Sequence, residues 1–247
     1  MNGWLAPKYL LWLWQGFGMT LGIAATTVVC ATALGFVLAL ARNARAPWLR
    51  RLASSYVLVF RNSPLIVQLL FWYFGVATLL PDAAMTWLNS PHTLKFGFGP
   101  GPGLLTLSWP SFEFVAGWFG LSCYSAAFIS EEFRAGLRAV PVGQYHAAAA
   151  LGLKPLAAFR HVILPQAVRI SVPPLFGQYM NIVKNSSLTM AIGLAELSYA
   201  SRQVDTETFK TFQAFGAATV LYILTIAAIE VSLIVFQHAG ARASRRS

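Results

Sequence analysis

The stretch from Phe17 to Ala41, FGMTLGIAATTVVCATALGFVLALA, decides what kind of protein this is. Its 25 residues carry no charge, and at ~1.5 Å per residue they form about 37 Å of helix. A bilayer core about 30 Å thick needs roughly 20 such residues, because no water is present there to satisfy open backbone groups. The run is longer than the apolar core of a cleaved signal peptide and arginines follow it, so it reads as a retained helix.

The rest of the 247-residue chain has the same character, with 57% hydrophobic residues, 11% charged residues and a mean hydropathy of +0.59. Soluble domains carry about 25% charge, so too few polar groups are present to cover a water-facing surface. Disordered, collagen-like and disulfide-scaffold classes are excluded as well, since the chain is apolar and aperiodic and has only Cys30 and Cys123. We predict an all-α integral membrane protein, a single domain over 1–247 with about five spans at 17–41, 53–80, 113–133, 170–197 and 211–237. Residues 81–112 form an outer loop and residues 134–169 a cytoplasmic one. The fourth run is interrupted by Pro173-Pro174, Gly177 and Lys184, which predicts a break or kink there.

Basic residues orient the spans. Arg42, Arg45, Arg50 and Arg51 follow the first, Arg134, Arg138, Lys154, Arg160 and Arg169 follow the third, and Arg242, Arg245 and Arg246 follow the last. The opposite side carries Lys8, Lys95, Arg202 and Lys210, together with the interfacial Trp4, Trp12, Trp14, Trp87 and Trp109. The N-terminus is therefore expected outside and the C-terminus in the cytoplasm. Topology also accounts for the net charge of +10, so no nucleic-acid partner is expected.

Other segments resemble motifs without carrying their chemistry. The tract from Gly97 to Gly103 is rich in glycine, but its prolines forbid a donor-rich phosphate cradle, and it reads as a flexible outer loop. Gly-Lys occurs nowhere, so the chain has no Walker A loop with which to bind ATP. His92, His146, His161 and His238 have neither metal nor triad spacing. We expect no metal, no cofactor and no catalytic residues. Gly18 and Gly22 have the spacing for a close helix contact.

The cytoplasmic loop is too ordered in composition for a passive connector. Pro141 suits a helix start, Ala147 to Ala150 have the highest helix propensity, and Gly152 with Lys154-Pro155 supplies a stop. This predicts a short, slim helix across the membrane face. A second amphipathic segment, Leu156 to Val168, then leads back to the membrane.

The stretch Gly143-Gln-Tyr-His-Ala-Ala-Ala-Ala-Leu-Gly152-Leu153, followed after nine residues by Val162-Ile-Leu164-Pro165, resembles the EAA loop of ABC importer permeases. Ala147, Ala148, Gly152, Val162, Leu164 and Pro165 match, while His146 stands where that family usually has glutamate. Phe60-Arg-Asn-Ser-Pro-Leu-Ile-Val-Gln68 and Ile182-Val-Lys-Asn-Ser-Ser-Leu188 are similar to segments of the polar amino-acid permeases, closest to their glutamate/aspartate branch. The resemblance covers nearly the whole chain. It implies the type I importer permease fold in a bacterial inner membrane and a second permease subunit, either a paralogue or a copy. It also implies two cytoplasmic ATP-binding subunits and a periplasmic substrate-binding protein. Gly143, His146, Ala147, Ala148, Gly152, Leu153, Leu164 and Pro165 would contact the ATPase.

Charged groups within a span cost at least ~2.5–3.5 kcal/mol at mid-bilayer, so Arg61 and Lys184 should face protein or water. Gln68 lies seven residues beyond Arg61 and so on nearly the same face, with Asn62 a further candidate next to Arg61, while Gln178, Asn181, Lys184, Asn185 and Ser186 recur along the fourth run. These two polar stripes are expected to line one substrate path. Asn185 stands where the wider family often has aspartate, and removing a lining acid favours an anionic cargo such as glutamate or aspartate. Glu131, Glu132 and Glu230 are expected to pair with nearby arginines. An ion-coupled secondary transporter is the alternative function, and the sequence shows no inverted repeat for it.

Overall fold

Helix α1, Pro7–Arg42, contains the deciding run and extends it by ten residues at its N-terminus. Pro7 starts it without cost, since the first helical N–H groups have no intrahelical partner. The protein is described here from a computed structural model, which covers residues 4–90, 93–96, 105–108 and 111–244. The tract Gly97–Gly103, Trp109, His92, Arg245 and Arg246 lie outside the described residues.

After α1 come α2 (Pro47–Arg61), α3 (Leu65–Leu70), a π-helical turn (Phe71–Gly75) and α4 (Asp82–Asn89). A short antiparallel ribbon pairs β1 (Thr93–Phe96) with β2 (Leu105–Ser108), Thr93 opposite Ser108 and Phe96 opposite Leu105. The chain continues through α5 (Phe112–Ala139), α6 (Val142–Ala150), α7 (Pro155–Ala158) and a second π-helical turn (Phe159–Ile163) into α8 (Leu164–Ser186). A 3-10 turn (Ser187–Ile192), α9 (Leu197–Thr208) and α10 (Thr211–Ser244) complete it.

Helices α1, α5 and α10 are long and apolar enough to cross a membrane, and α2 with α3 and its π turn passes the same test as a bent pair. The bend is 104°. It falls at Asn62-Ser63-Pro64, where proline disfavours helical geometry in the residue before it. The expected outer loop holds more structure than the sequence indicated. Residues Thr93–Phe96 and Leu105–Ser108 alternate β-forming and polar residues on either side of the Gly/Pro tract, the pattern of a hairpin.

The expected break in the fourth run is displaced. Helix α8 continues through Pro173 and Pro174, although their missing N–H groups leave the carbonyls of Arg169 and Ile170 without the usual partner. Packing on α5 supports this turn, where Ser171 Oγ donates to Glu132 O at 3.2 Å and to Ala167 O at 2.9 Å. Neighbouring helices and hydroxyls of this kind let a membrane helix keep its prolines. The helix ends later, in the 3-10 turn and at Gly193, whose φ of +87° favours glycine.

Helix α5 is the centre of the bundle. The most apolar part of α5 is 61% buried, against 39% for α1 and none for α10. Ala126 and Ile129 are sealed against Ala31, Ala39, Leu175 and Ile182. Close approach depends on glycine at Gly35, where an added Cβ would sit 2.6 Å from Ile129 Cγ2. The same holds at Gly16, 2.8 Å from Ala200 Cβ. A Cβ at Gly18 or Gly22 would meet nothing within 4 Å, so the contact expected there is not made among the described residues.

Candidate functional site

Helix α6 stands out from the bundle on its own small base. Pro141 precedes it, as the spacing predicts. Its end is a Schellman motif in which the Leu153 N–H donates to Ala148 O at 3.1 Å and the Gly152 N–H to Ala149 O at 2.9 Å. That geometry places Gly152 at φ +75°, a conformation L side chains rarely adopt. Val140, Ile163 and Ala167 form the apolar base beneath, and Gln166 Nε2 donates to Gln144 Oε1 at 3.1 Å.

Most of α6 faces outward. Gly143, His146, Ala147, Gly152 and Leu153 are exposed, with Leu151 and Leu156 nearby at 80% and 77%. Ala148 is the exception at 2%, because it lies on the side that packs against α7 and the following π turn. A partner seated on α6 therefore meets Ala147 and His146 rather than the Ala148 side chain. Leu164 is half-buried and Pro165 exposed at the start of α8.

The first polar stripe does not survive the bend. Gln68 is on the far side of it and does not share a helix face with Arg61. Its Nε2 donates to Ser63 Oγ at 2.8 Å, Phe60 O at 3.0 Å and Ser63 O at 3.2 Å, so it staples the turn between α2 and α3. Arg61 Nη1 donates to Glu131 Oε1 at 3.2 Å, and its guanidinium lies 5.3 Å from the Phe128 ring centre. Arg42 Nη1 donates to the same carboxylate oxygen at 2.7 Å. Asn62 Nδ2 donates back to Leu58 O.

The second stripe keeps its helix. Asn181 and Lys184 are exposed on α8, Gln178 and Asn185 are half-buried, and Ser186 is buried with its hydroxyl on Val183 O. Gln178 Nε2 donates to Glu132 Oε1 at 2.9 Å. Glu131 thus pairs with arginines as expected, whereas Glu132 takes an amide. The two stripes meet adjacent acids on different faces of α5 and do not form one cluster within the chain.

Lys184 borders a cavity of about 330 Å³ together with Ser187, Ser198, Thr219 and Tyr222. Three of these, Ser198, Thr219 and Tyr222, come from α9 and α10 and escaped the sequence reading. Behind the cavity lies Glu196, fully buried and equally unforeseen. Its carboxylate accepts from the Ser198 and Tyr199 N–H groups at 2.9 Å, Tyr222 Oη at 2.8 Å and Thr20 Oγ1 at 3.3 Å. It caps α9 and ties α1, α9 and α10 together. The signal for it was local, an acid immediately before a helix.

The fold is thus a bundle of long apolar helices centred on α5, with a polar-faced α8 and an exposed short helix on its own base. The model of the family described as binding-protein-dependent transport system inner membrane component matches residues 31–246. The chain belongs to this family. It is 32% identical over 216 residues to the glutamate/aspartate import permease protein GltJ of Escherichia coli strain K12, covering 87% of this chain and 82% of that one. It is 31% identical to the octopine transport system permease protein OccM of Rhizobium meliloti, covering 86% and 82%. Among solved structures it is similar to an amino acid ABC transporter crystallised with histidines, at a TM-score of 0.77 and 27% identity over 94% of this chain and 95% of that one. The chain is thus an amino-acid permease subunit with the type I ABC importer fold. The ion-coupled alternative falls with that membership.

Proposed function

We propose that this chain forms half of the translocation path of an ATP-driven importer for glutamate and aspartate in a bacterial inner membrane. Its partners are a second permease subunit, two cytoplasmic ATP-binding subunits that hold the nucleotide, and a periplasmic binding protein. Five crossings, with the N-terminus outside and the C-terminus inside, fit the distribution of basic residues. Uptake follows alternating access, in which nucleotide-driven closure of the ATPases moves α6 and, through its base, α8.

One observation carries this reading. Helix α8 presents Asn181 and Lys184 as exposed polar groups, and Lys184 borders the 330 Å³ cavity, in the size range of small-ligand sites. A cationic Lys184 with the neutral Asn185 next to it suits the carboxylates of an acidic cargo, since at ~4 Å such a pair attracts by about 4 kcal/mol at an effective dielectric of 20. The 32% identity to a glutamate/aspartate permease supports the same cargo.

The test is uptake of labelled glutamate, aspartate, glutamine and arginine by the complete importer in proteoliposomes. Asn185→Asp is expected to lower uptake of the acidic pair by roughly tenfold relative to glutamine. Equal acidic uptake by parent and variant overturns the cargo assignment. For the coupling helix, a cysteine introduced at His146 is expected to cross-link to the ATP-binding subunit. Gly152→Val is expected to abolish ATP-dependent uptake while the chain still inserts.

A further inference from the structure

We propose that the cavity bounded by the C-terminal ends of α1 and α2 and the C-terminal half of α5 binds the phosphate headgroup of an anionic phospholipid. The cavity measures about 500 Å³, and Arg42, Ser54, Ser55, Arg61, Asn62 and Glu131 line it. This goes beyond the transport reading and does not depend on which amino acid is carried.

Charge is the first argument. Two guanidinium groups share a single carboxylate oxygen, Glu131 Oε1, so the wall retains a net positive charge. Arg42 is held in place, its side chain only 10% exposed, whereas Arg61 remains 42% exposed and can reach an occupant. The second argument is unused donors. Along α2, Ser54 and Arg61 lie seven residues apart, as do Ser55 and Asn62, which puts all four on neighbouring rows of one face. Neither serine hydroxyl has a hydrogen-bond partner among the described residues. The hydroxyls of Thr26, Ser63, Thr219 and Ser232, by contrast, each donate to the carbonyl four residues earlier.

The surroundings select the source of the anion. The same cavity has an apolar side made by Leu58, 64% exposed, and by Phe128. Along α2, Trp48, Leu52 and Val59 are exposed beside the exposed Arg50 and Arg51. This is the pattern of a helix at a bilayer surface, with apolar groups for acyl chains and arginines for headgroups. A free phosphate or amino acid has no use for the apolar side. Basic pockets between membrane helices on the cytoplasmic face take anionic headgroups by this combination.

The experiment uses the complete importer in nanodiscs of phosphatidylcholine containing a minority of phosphatidylglycerol, with retained lipid counted by native mass spectrometry. Retention of phosphatidylglycerol over phosphatidylcholine by roughly tenfold is expected for the parent. The double variant Ser54→Leu/Ser55→Leu, which fills the cavity and leaves every charge, is expected to bring that preference close to parity. Arg61→Gln should do the same, and Arg61→Lys, a milder change should the glutamine variant fail to assemble, should lower it in part. The proposal is overturned by a parent without preference or by an undiminished preference in the filled variant. It is equally overturned if millimolar inorganic phosphate or glutamate displaces the phosphatidylglycerol, which would assign the cavity to a free oxyanion.

Discussion

Glu131 and Glu196 are two acids placed among apolar helices and stabilised in opposite ways. Glu131 is 29% exposed in its side chain and faces two arginines. Glu196 is fully buried, and among the described residues no cation pairs with it. Two backbone N–H groups and two hydroxyls surround it instead, and Thr20 Oγ1 in turn accepts from the Leu197 N–H at 3.1 Å. Where water reaches, a carboxylate tolerates a loosely organised ion pair. Where water is excluded, it persists only with its lone pairs occupied by positioned donors.

The largest effect should come from breaking the donor cage. Glu196→Ala leaves the Ser198 and Tyr199 N–H groups and the Tyr222 hydroxyl without their acceptor and removes the α9 cap. A loss of about 4 kcal/mol is expected, read as a lowered thermal midpoint of the purified complex. An unchanged midpoint would end the contrast between the two acids. Glu131→Gln should cost less, about 2 kcal/mol, because Arg61 can turn to water while Arg42 is left with its charge nine-tenths buried.

Smaller effects sharpen the contrast within each acid. Tyr222→Phe removes one donor from Glu196 and is expected to cost about 1 kcal/mol in the same melting assay. Double-mutant cycles should then separate the two arginines. Arg42 with Glu131 is expected to couple by about 1 kcal/mol, and Arg61 with Glu131 by a few tenths, roughly the value of an exposed pair. Equal coupling would show that burial does not set the strength of these contacts.

Legibility followed the range of the interaction. The α6 helix, its start at Pro141 and its stop at Gly152 were readable because capping and propensity act within a few residues. The pairing of Glu131 with arginines was readable from charge and span ends. The face shared by Arg61 and Gln68 was misread, since a seven-residue spacing means one face only if the helix is continuous, and Ser63-Pro64 ends it. The prolines of α8 misled in the other direction, because the contact of Ser171 with α5 that supports their turn joins residues 39 apart. Ala148 matched its motif yet turned inward, a side of α6 that only packing on α7 defines.

By itself the sequence determined that the long helices are apolar enough to cross a membrane, where α6 starts and stops, and to which family the chain belongs. Each of these follows from composition or from spacing within one segment. Tertiary structure alone decided that Glu196 is a buried junction of α1, α9 and α10, that Lys184 shares a cavity with Ser198 and Tyr222, and that Arg61 meets Arg42 across Glu131. Those pairings join residues tens to hundreds of positions apart. No local periodicity encodes them, and only the close packing of whole helices brings their side chains within hydrogen-bonding distance.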